Sequence, residues 1–222
     1  MDRFNFFEIK VFDAFIDKFA ERYLKQRSEI DSVLLEKAAS LNCDIDINAL
    51  LSIIKNNSVF IDPKREKGEY TNRLSDIYRS DLGELLTTYY FEEKLPEGER
   101  YIIPLKNISM SERYDMPGRG LDARGYMEES DGSITLLLAE AKVSDQKKNP
   151  PHVVHQSEDS IYKSQKKHHD DEPLILQRLT EYLRHTSTQK DMFVLGCLVI
   201  WMKEGQKSKY QITYGCGLVR DY

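Results

Sequence analysis

Leu136–Val143, LLLAEAKV, is the stretch that decides the fold of this chain. Successive side chains of a strand point to opposite faces, so Glu140 and Lys142 would share one face. The remaining side chains make both faces apolar, which is typical of a buried central strand. Burying a carboxylate and an ammonium is costly unless they are paired or hold a metal ion. The stretch therefore predicts both a central strand and a site that carries chemistry.

A second acid, Asp122, lies in the strand-like segment Gly120–Met127 that precedes this strand. The residues between the two segments, EESDG at 128–132, are typical of a hairpin turn. Facing residues of an antiparallel pair have a constant sum of residue numbers, so a turn centred on Asp131 places Asp122 opposite Glu140. A three-residue loop has this centre, whereas a two-residue turn would shift the register by one and separate the two acids.

Asp122 and Glu140 would have Cβ atoms about 4.5–5.5 Å apart in this register. Two carboxylates at that distance repel and raise each other's pKa unless a cation lies between them. Mg²⁺ suits such a pair, because it binds one or two carboxylates together with waters and phosphate oxygens. The alternative is a purely structural Glu140–Lys142 ion pair, since acid-x-lysine triplets also occur elsewhere in the chain.

The composition describes an ordinary globular protein of 222 residues, with 40 % hydrophobic and 31 % charged residues. No apolar stretch approaches the roughly 20 residues that span a bilayer, so no membrane association is expected. The three cysteines, Cys43, Cys197 and Cys216, form no CxxC pair and favour a reducing cytoplasm. A net charge of −5 is unusual for a protein that binds nucleic acid tightly by itself. A nucleic-acid substrate would therefore be delivered with the help of a partner.

Several enzyme classes lack their sequence signatures here. The chain has no G-x-S-x-G motif, no P-loop and no glycine-rich dinucleotide motif. Serine hydrolase, NTPase and NAD-dependent enzyme functions therefore have no support.

Residues 1–75 are predicted to be a mostly helical region. Its expected elements are an apolar stripe at helical spacing (Phe12, Phe15, Ile16 and Phe19) and helices over 28–41 and 46–56, each opening on an N-cap residue. The polar segment 62–68 interrupts this region before the next helix begins.

Residues 76–222 are predicted to form an α/β core. The expected order is a helix over 72–93, strands over 101–105, 120–127 and 134–143, helices over 155–167 and 173–185, and strands over 192–202 and 209–219. This order describes an α/β sandwich behind a helical N-terminal part.

Glu84 is a further candidate acid, on the helix that precedes the strands. Its neighbours on the same helix face are the polar residues Ser80, Asp81, Thr87 and Thr88. Such a face either lines a metal site or is simply solvated.

Five lysines follow the acidic strand and form a local basic region: Lys147, Lys148, Lys163, Lys166 and Lys167. A lysine-rich helix face is usually a solvated surface. Its position just beyond the candidate site makes contact with a nucleic-acid backbone the second interpretation.

These residues together resemble the signature of the PD-(D/E)XK nucleases. That family carries an acid on its first helix, an Asp on its second strand and Glu-x-Lys on its third. Glu84, Asp122, Glu140 and Lys142 stand at those positions, and Leu121 replaces the proline that usually precedes the Asp. The resemblance implies the fold of a restriction-endonuclease-like core, with a helix, a three-stranded meander, a helix and a strand.

A closer resemblance is to the HamA-like nuclease subunit of Hachiman anti-phage systems. It rests on three motifs in this order and spacing: RSDLGE at 79–84, RGLDARG at 119–125 and LAEAK at 138–142. It implies a cytoplasmic deoxyribonuclease whose partner is a superfamily 2 helicase subunit (HamB-like), encoded beside it. DNA cleavage would be withheld until the helicase engages damaged or invading DNA.

The resemblance also implies roles for the site residues. Asp122 and Glu140, together with Glu84, would hold Mg²⁺, for which Mn²⁺ could substitute, and Lys142 would orient the attacking water or stabilise the transition state. The alternative function is a non-catalytic module with a nuclease fold that regulates the helicase partner, with residues 1–75 as the docking region.

Overall fold

The computed structural model describes residues 5–27, 46, 48–50, 52–53, 72–110, 121–186 and 188–220. The chain divides into two compact units, Met1–Phe60 and Ile61–Tyr222. In the first unit the predicted apolar stripe forms helix α1 (Phe12–Arg27). The Asp46 carboxylate accepts hydrogen bonds from the amides of Asn48 and Ala49, as an N-cap residue does.

The predicted helix 28–41 and the polar segment 62–68 lie outside the described residues. The docking role of residues 1–75 stays a prediction.

The second unit contains a mixed α/β arrangement. Its elements are α2 (Asn72–Tyr89) with a π-helical turn (Tyr90–Lys94), β1 (Ile102–Lys106), a 3-10 turn (Asn107–Met110), β2 (Ala123–Glu128), β3 (Ile134–Ser144), α3 (His152–His155), α4 (Ile161–Asp170), α5 (Glu172–His185), α6 (Gln189–Lys203) and β4 (Tyr210–Arg220). In the described part of the chain, the strands form one four-stranded sheet in the order β1-β2-β3-β4. The first three strands are antiparallel, and β4 runs parallel to β3. The α/β class is confirmed.

The hairpin between β2 and β3 has the register that the sequence predicts. Ala123 faces Ala139, and every pair down to the turn keeps the same sum of residue numbers. The three-residue loop ends at Gly132, whose φ of 82° is a conformation that glycine adopts without steric cost. One step beyond the last pair, this register brings Asp122 opposite Glu140.

β3 is the buried central strand of the sheet. On one face Leu136 and Leu138 pack in a cluster with side chains of α5 and α6. On the other face Leu137 and Ala139 pack with Phe91 of the π-helical turn. The strand is thus apolar on both faces because both faces are covered, as its composition predicts.

Tyr182 of α5 fixes the position of β2. Its hydroxyl accepts a hydrogen bond from the Leu105 amide at 2.7 Å and donates to the carbonyl oxygens of Leu105 and Arg124. The buried guanidinium of Arg124 lies 4.5 Å from the centre of the Tyr182 ring. These contacts hold the start of β2 against α5 and so support the strand that begins beside Asp122.

The prediction of a strand over 192–202 is wrong, because these residues belong to α6. The segment is apolar all round, so its periodicity does not distinguish a buried strand from a buried helix. The distinguishing signal lies just before it, where the Thr188 hydroxyl accepts a hydrogen bond from the Asp191 amide and caps the helix. In the described part of the chain no helix, α6 included, is long and apolar enough to cross a membrane.

Two neighbouring predictions are correct only in part. The last predicted strand, over 209–219, is confirmed as β4, but its neighbour is β3, because residues 192–202 are helical. A parallel neighbour requires a crossover connection, which the helices before β4 supply. The helix predicted over 155–167 is interrupted after α3, and α4 starts afresh with the Ser160 hydroxyl accepting a hydrogen bond from the Lys163 amide. The interruption places Asp159 beside β3, as described below.

Two glycines offer a matched test of this packing. A Cβ added at Gly217 of β4 would overlap Thr87 Oγ1 and lie 2.9 Å from Thr87 Cβ, because α2 approaches the strand closely there. A Cβ added at Gly196 of α6 would meet nothing within 4 Å. We expect Gly217→Ala to lower the free energy of unfolding by about 1–3 kcal/mol through overpacking. Gly196→Ala should raise it by about 0.5–1 kcal/mol through helix propensity.

Urea denaturation of both variants measures these changes. Equal effects of the two substitutions would contradict the close packing of α2 against β4.

Candidate active site

The candidate site lies where β2 begins and β3 ends, with Asp122 and Glu140 on adjacent strands. The Ala141 amide donates a hydrogen bond to Asp122 Oδ2 at 2.6 Å, which fixes the orientation of that carboxylate. Glu140 is buried, with 6 % of its surface exposed, and the Ser164 side chain of α4 favours its ionised form. The two acids therefore lie close together on the adjacent strand ends.

Lys142 lies beside this pair on the same face as Glu140. Its Nζ is 3.1 Å from Glu140 Oε1 and 2.8 Å from Asp159 Oδ1. Burial alone would lower the pKa of Lys142, but the hydrogen bond to Asp159 and the charge of Glu140 raise it above its ordinary value. Lys142 therefore enters any reaction as an ammonium.

Glu84 is not solvated, so that alternative for its helix face is wrong. Its side chain is only 3 % exposed, and Asp81, Thr87 and Thr88 on the same face are buried too. Glu84 Oε1 accepts a hydrogen bond of 2.6 Å from the Ile108 amide of the 3-10 turn. Burial and the nearby charge of Asp122 raise the pKa of Glu84 well above its ordinary value.

The two facing carboxyl groups are electrostatically strained without a cation. Burial, followed by the charge of Glu140, raises the pKa of Asp122 to about 7, although the Ala141 amide and Lys142 oppose the shift. Burial raises the pKa of Glu140 as well, and Lys142 and Ser164 offset only part of it. A group of acids that resist ionisation in one place is typical of a functional site.

The donor set fits Mg²⁺ through Asp122 and Glu140. Mg²⁺ keeps several waters and needs only one or two carboxylates from the protein, with phosphate oxygens of a substrate completing its shell. A positive ion between these oxygens would remove the repulsion that raises the pKa of Asp122. Among the described residues no group of three or more His, Cys, Asp and Glu side chains has the spacing of a metal site. Glu84, directed to the Ile108 amide, thus lies near the pair without forming a three-carboxylate cluster with it.

The five lysines do not form one uniform basic surface. Lys163 pairs with Glu158 at 2.6 Å and Lys166 with Asp170 at 2.5 Å. Lys148 instead contacts the neutral Gln156 at 2.9 Å and a ring nitrogen of His152 at 3.1 Å. Lys147 and Lys167 are exposed. Within the described ranges, Lys147, Lys148 and Lys167 are therefore the lysines of this group that form no ion pair with an acid.

Three contributors to the site carried no signal in the sequence. They are Asp159 and Ser164, which contact Lys142 and Glu140, and the Ile108 amide, which holds Glu84. In the sequence, Asp159 and Ser164 belong to one predicted helix, and Ile108 lies between predicted strands. Nothing in their spacing therefore predicts that they lie near β3. Only the interruption between α3 and α4 brings the first two to the site.

Comparison with known proteins assigns the chain to a family. The family model described as HamA matches residues 4–221, which is nearly the whole chain. No curated protein and no solved structure shows a match. The chain therefore belongs to the HamA family, the family of a component of Hachiman anti-phage defence.

Proposed function

We propose that this protein is a metal-dependent nuclease that cleaves DNA as the effector of a helicase–nuclease complex. The observation that carries the proposal is the closeness of the two acids: the Asp122 carboxylate binds the Ala141 amide next to Glu140, and Lys142 Nζ lies 3.1 Å from Glu140. Two acids and a lysine at adjacent strand ends are the arrangement expected for phosphodiester hydrolysis.

The order of elements supports a PD-(D/E)XK core as the finer fold assignment. A helix carrying Glu84 precedes an antiparallel meander of three strands, and helices then lead to the parallel strand β4. The positions of the acids support the same assignment, with Glu84 on α2, Asp122 one residue before β2 and Glu140 on β3. Leu121 fills the position of the usual proline and is buried in the core, with 1 % exposure.

The chain's own residues would divide the work of hydrolysis. Asp122 and Glu140 would hold Mg²⁺, with Glu84 as a further acid near Asp122. The bound ion would supply an activated water and offset the negative charge that builds on the phosphate. Lys142, kept as an ammonium by Glu140 and Asp159, would orient the attacking water or stabilise the same phosphate charge. The Ala141 amide keeps Asp122 turned toward the site.

The partner in the proposal is a superfamily 2 helicase subunit. Membership of the HamA family supports it, and so does the net charge of −5, because an acidic nuclease needs a partner to grip DNA. Residues 1–75 are the proposed docking region.

A cleavage assay tests the function directly. The purified chain would be incubated with linear and supercoiled DNA, alone and with the helicase encoded beside it, in Mg²⁺, in Mn²⁺ and in EDTA. We expect nicking or shortening of DNA in Mg²⁺ or Mn²⁺ and none in EDTA. Cleavage that persists in EDTA, or no cleavage under any of these conditions, would contradict the proposal. Calorimetric titration with Mg²⁺ separates a catalytic site from a non-catalytic regulatory module, which has no need to bind the ion.

The basic region gives a second expectation, on DNA binding. We expect the double variant Lys147→Gln/Lys148→Gln to weaken DNA binding about tenfold, and to lower the slope of log K against log salt by about 2. The matched control is Lys163→Gln/Lys166→Gln, whose lysines are already paired with acids and should change the slope less. Fluorescence anisotropy at several salt concentrations measures both. Equal slopes for the two variants would show that Lys147 and Lys148 do not contact phosphates.

A further inference from the structure

Asp159 lies in the interruption between α3 and α4, directly before the capping residue of α4. Its carboxylate is exposed, yet its Oδ1 contacts Lys142 Nζ at 2.8 Å. The neighbouring Ser160 and Ile161 are buried and anchor this position of the backbone. The segment before α4 thus presents an acid from the solvent side to the lysine of the candidate site.

Lys142 and Mg²⁺ would compete for the same carboxylate of Glu140. Glu140 is the buried partner of Lys142 at 3.1 Å, and in the proposed function it is also a ligand of Mg²⁺. A carboxylate that turns toward a divalent cation loses much of its attraction for a neighbouring ammonium, since the cation repels the ammonium. Lys142 then needs another anion to remain in place.

We propose that Asp159 is a positioning residue that keeps Lys142 at the site when Glu140 binds a divalent cation. The proposal rests on the nuclease function proposed above and adds a residue that the nuclease signature does not contain. The start of α4 would serve both reactive side chains, because Ser164 one turn further on favours the ionised form of Glu140. Hydrogen bonds of this outer kind orient the groups that touch the substrate.

The electrostatics of the site agree with this role. The negative charge of Asp159 contributes to the raised pKa of Asp122 and of Glu140, after burial and closer groups. Its charge is the smallest of these contributions, so its main contact is the one with Lys142. The adjacent Glu158 has no such role, since it pairs with Lys163 at 2.6 Å.

Zero-length cross-linking with a carbodiimide tests the contact without any cleavage. The reagent joins a carboxylate to an amine that touches it, and mass spectrometry of the digested protein identifies the pair. We expect a Lys142–Asp159 link in the full chain without metal, and an undiminished yield after saturation with Mg²⁺. The Lys163–Glu158 link in the same segment is the internal control. A missing Lys142–Asp159 link beside a normal control link, or a link that Mg²⁺ abolishes, would overturn the proposal.

Calorimetry in parallel distinguishes this failure from failure of the nuclease function. Absence of Mg²⁺ binding would overturn the proposed function, and with it the need for Asp159. Mg²⁺ binding with loss of the Lys142–Asp159 link would overturn only the role of Asp159.

Kinetics of the helicase-activated protein give the second readout. We expect Asp159→Asn to lower kcat at saturating DNA about tenfold, as loss of an outer-shell partner does, with KM for DNA and the affinity for Mg²⁺ unchanged. Asp159→Glu should restore most of the rate. Glu158→Gln, which removes a carboxylate one residue away, should keep the wild-type kcat. Equal kcat values for Asp159→Asn and Glu158→Gln would contradict the positioning role.

Discussion

Replacing Glu140 by Gln is expected to lower the rate of Mg²⁺-dependent DNA cleavage about a thousandfold. The substitution keeps the shape of the side chain but removes a negative charge from the pair that would hold the ion. Charge stabilisation at a reacting phosphate is worth several kcal/mol, which corresponds to such a factor. Lys142→Ala should cost about a hundredfold to a thousandfold, because it removes one charged donor aimed at the reacting group. Single-turnover cleavage by the complex with its helicase measures both.

The matched control for Glu140→Gln is Glu158→Gln, an exposed acid in the segment before α4. It should cleave at the wild-type rate. Thermal unfolding separates lost chemistry from lost structure, and Glu140→Gln should unfold at or above the wild-type temperature, since burial disfavours the ionised form of Glu140. Unchanged cleavage by Glu140→Gln or by Lys142→Ala would refute the assignment of these residues.

Without divalent cations, the free energy of unfolding is expected to fall as the pH rises from about 4 to about 7. The pKa of Asp122 is about 7 in the folded chain against an ordinary value of 3.8. Between these values the folded state binds a proton that the unfolded state has released, so raising the pH favours unfolding. Each tenfold difference in proton affinity is worth about 1.4 kcal/mol. The contribution of Asp122 between pH 5 and pH 8 is therefore about 3 kcal/mol, and its sign is opposite to that of a salt-bridged carboxylate.

Asp122→Asn is the control for this pH dependence, because it has no carboxyl group to titrate. We expect it to be more stable than the wild-type chain at pH 8 without metal, and to differ little at pH 5. Mg²⁺ should stabilise the wild-type chain at pH 8 more than at pH 5, and should have little effect on Asp122→Asn. Urea denaturation at the two pH values, with Mg²⁺ and with EDTA, measures all four combinations. Parallel pH profiles for the two proteins would contradict the strained acid pair.

The central hairpin could be predicted from the sequence because its signals are local. An apolar run of strand length, an EESDG turn and a glycine at the required position together fix the register of β2 against β3. Once that register is set, Asp122 must come opposite Glu140, and Lys142 must lie on the face of Glu140. The proximity of Asp122 and Glu140 therefore follows from residues that are close along the chain.

α6 could not be predicted in the same way. Met192–Met202 is apolar on every side, so neither a helical nor a strand period can be read from it. Two other features favour a helix over a strand. One is the cap at Thr188, and the other is the parallel alignment of β4 with β3, which needs a connection across the sheet.

The sequence by itself therefore determined the central strand, the hairpin register and the family, because strand alternation and turn chemistry act over a few residues. Only the tertiary structure decided the surroundings of that hairpin. It buried Glu84 against the Ile108 amide, and it brought Asp159, just before α4, to Lys142 and Ser164, within α4, to Glu140. These contacts join residues that lie far apart in the chain, and they form only when helices pack on a completed sheet. They cannot be predicted from the pattern of residues along the chain.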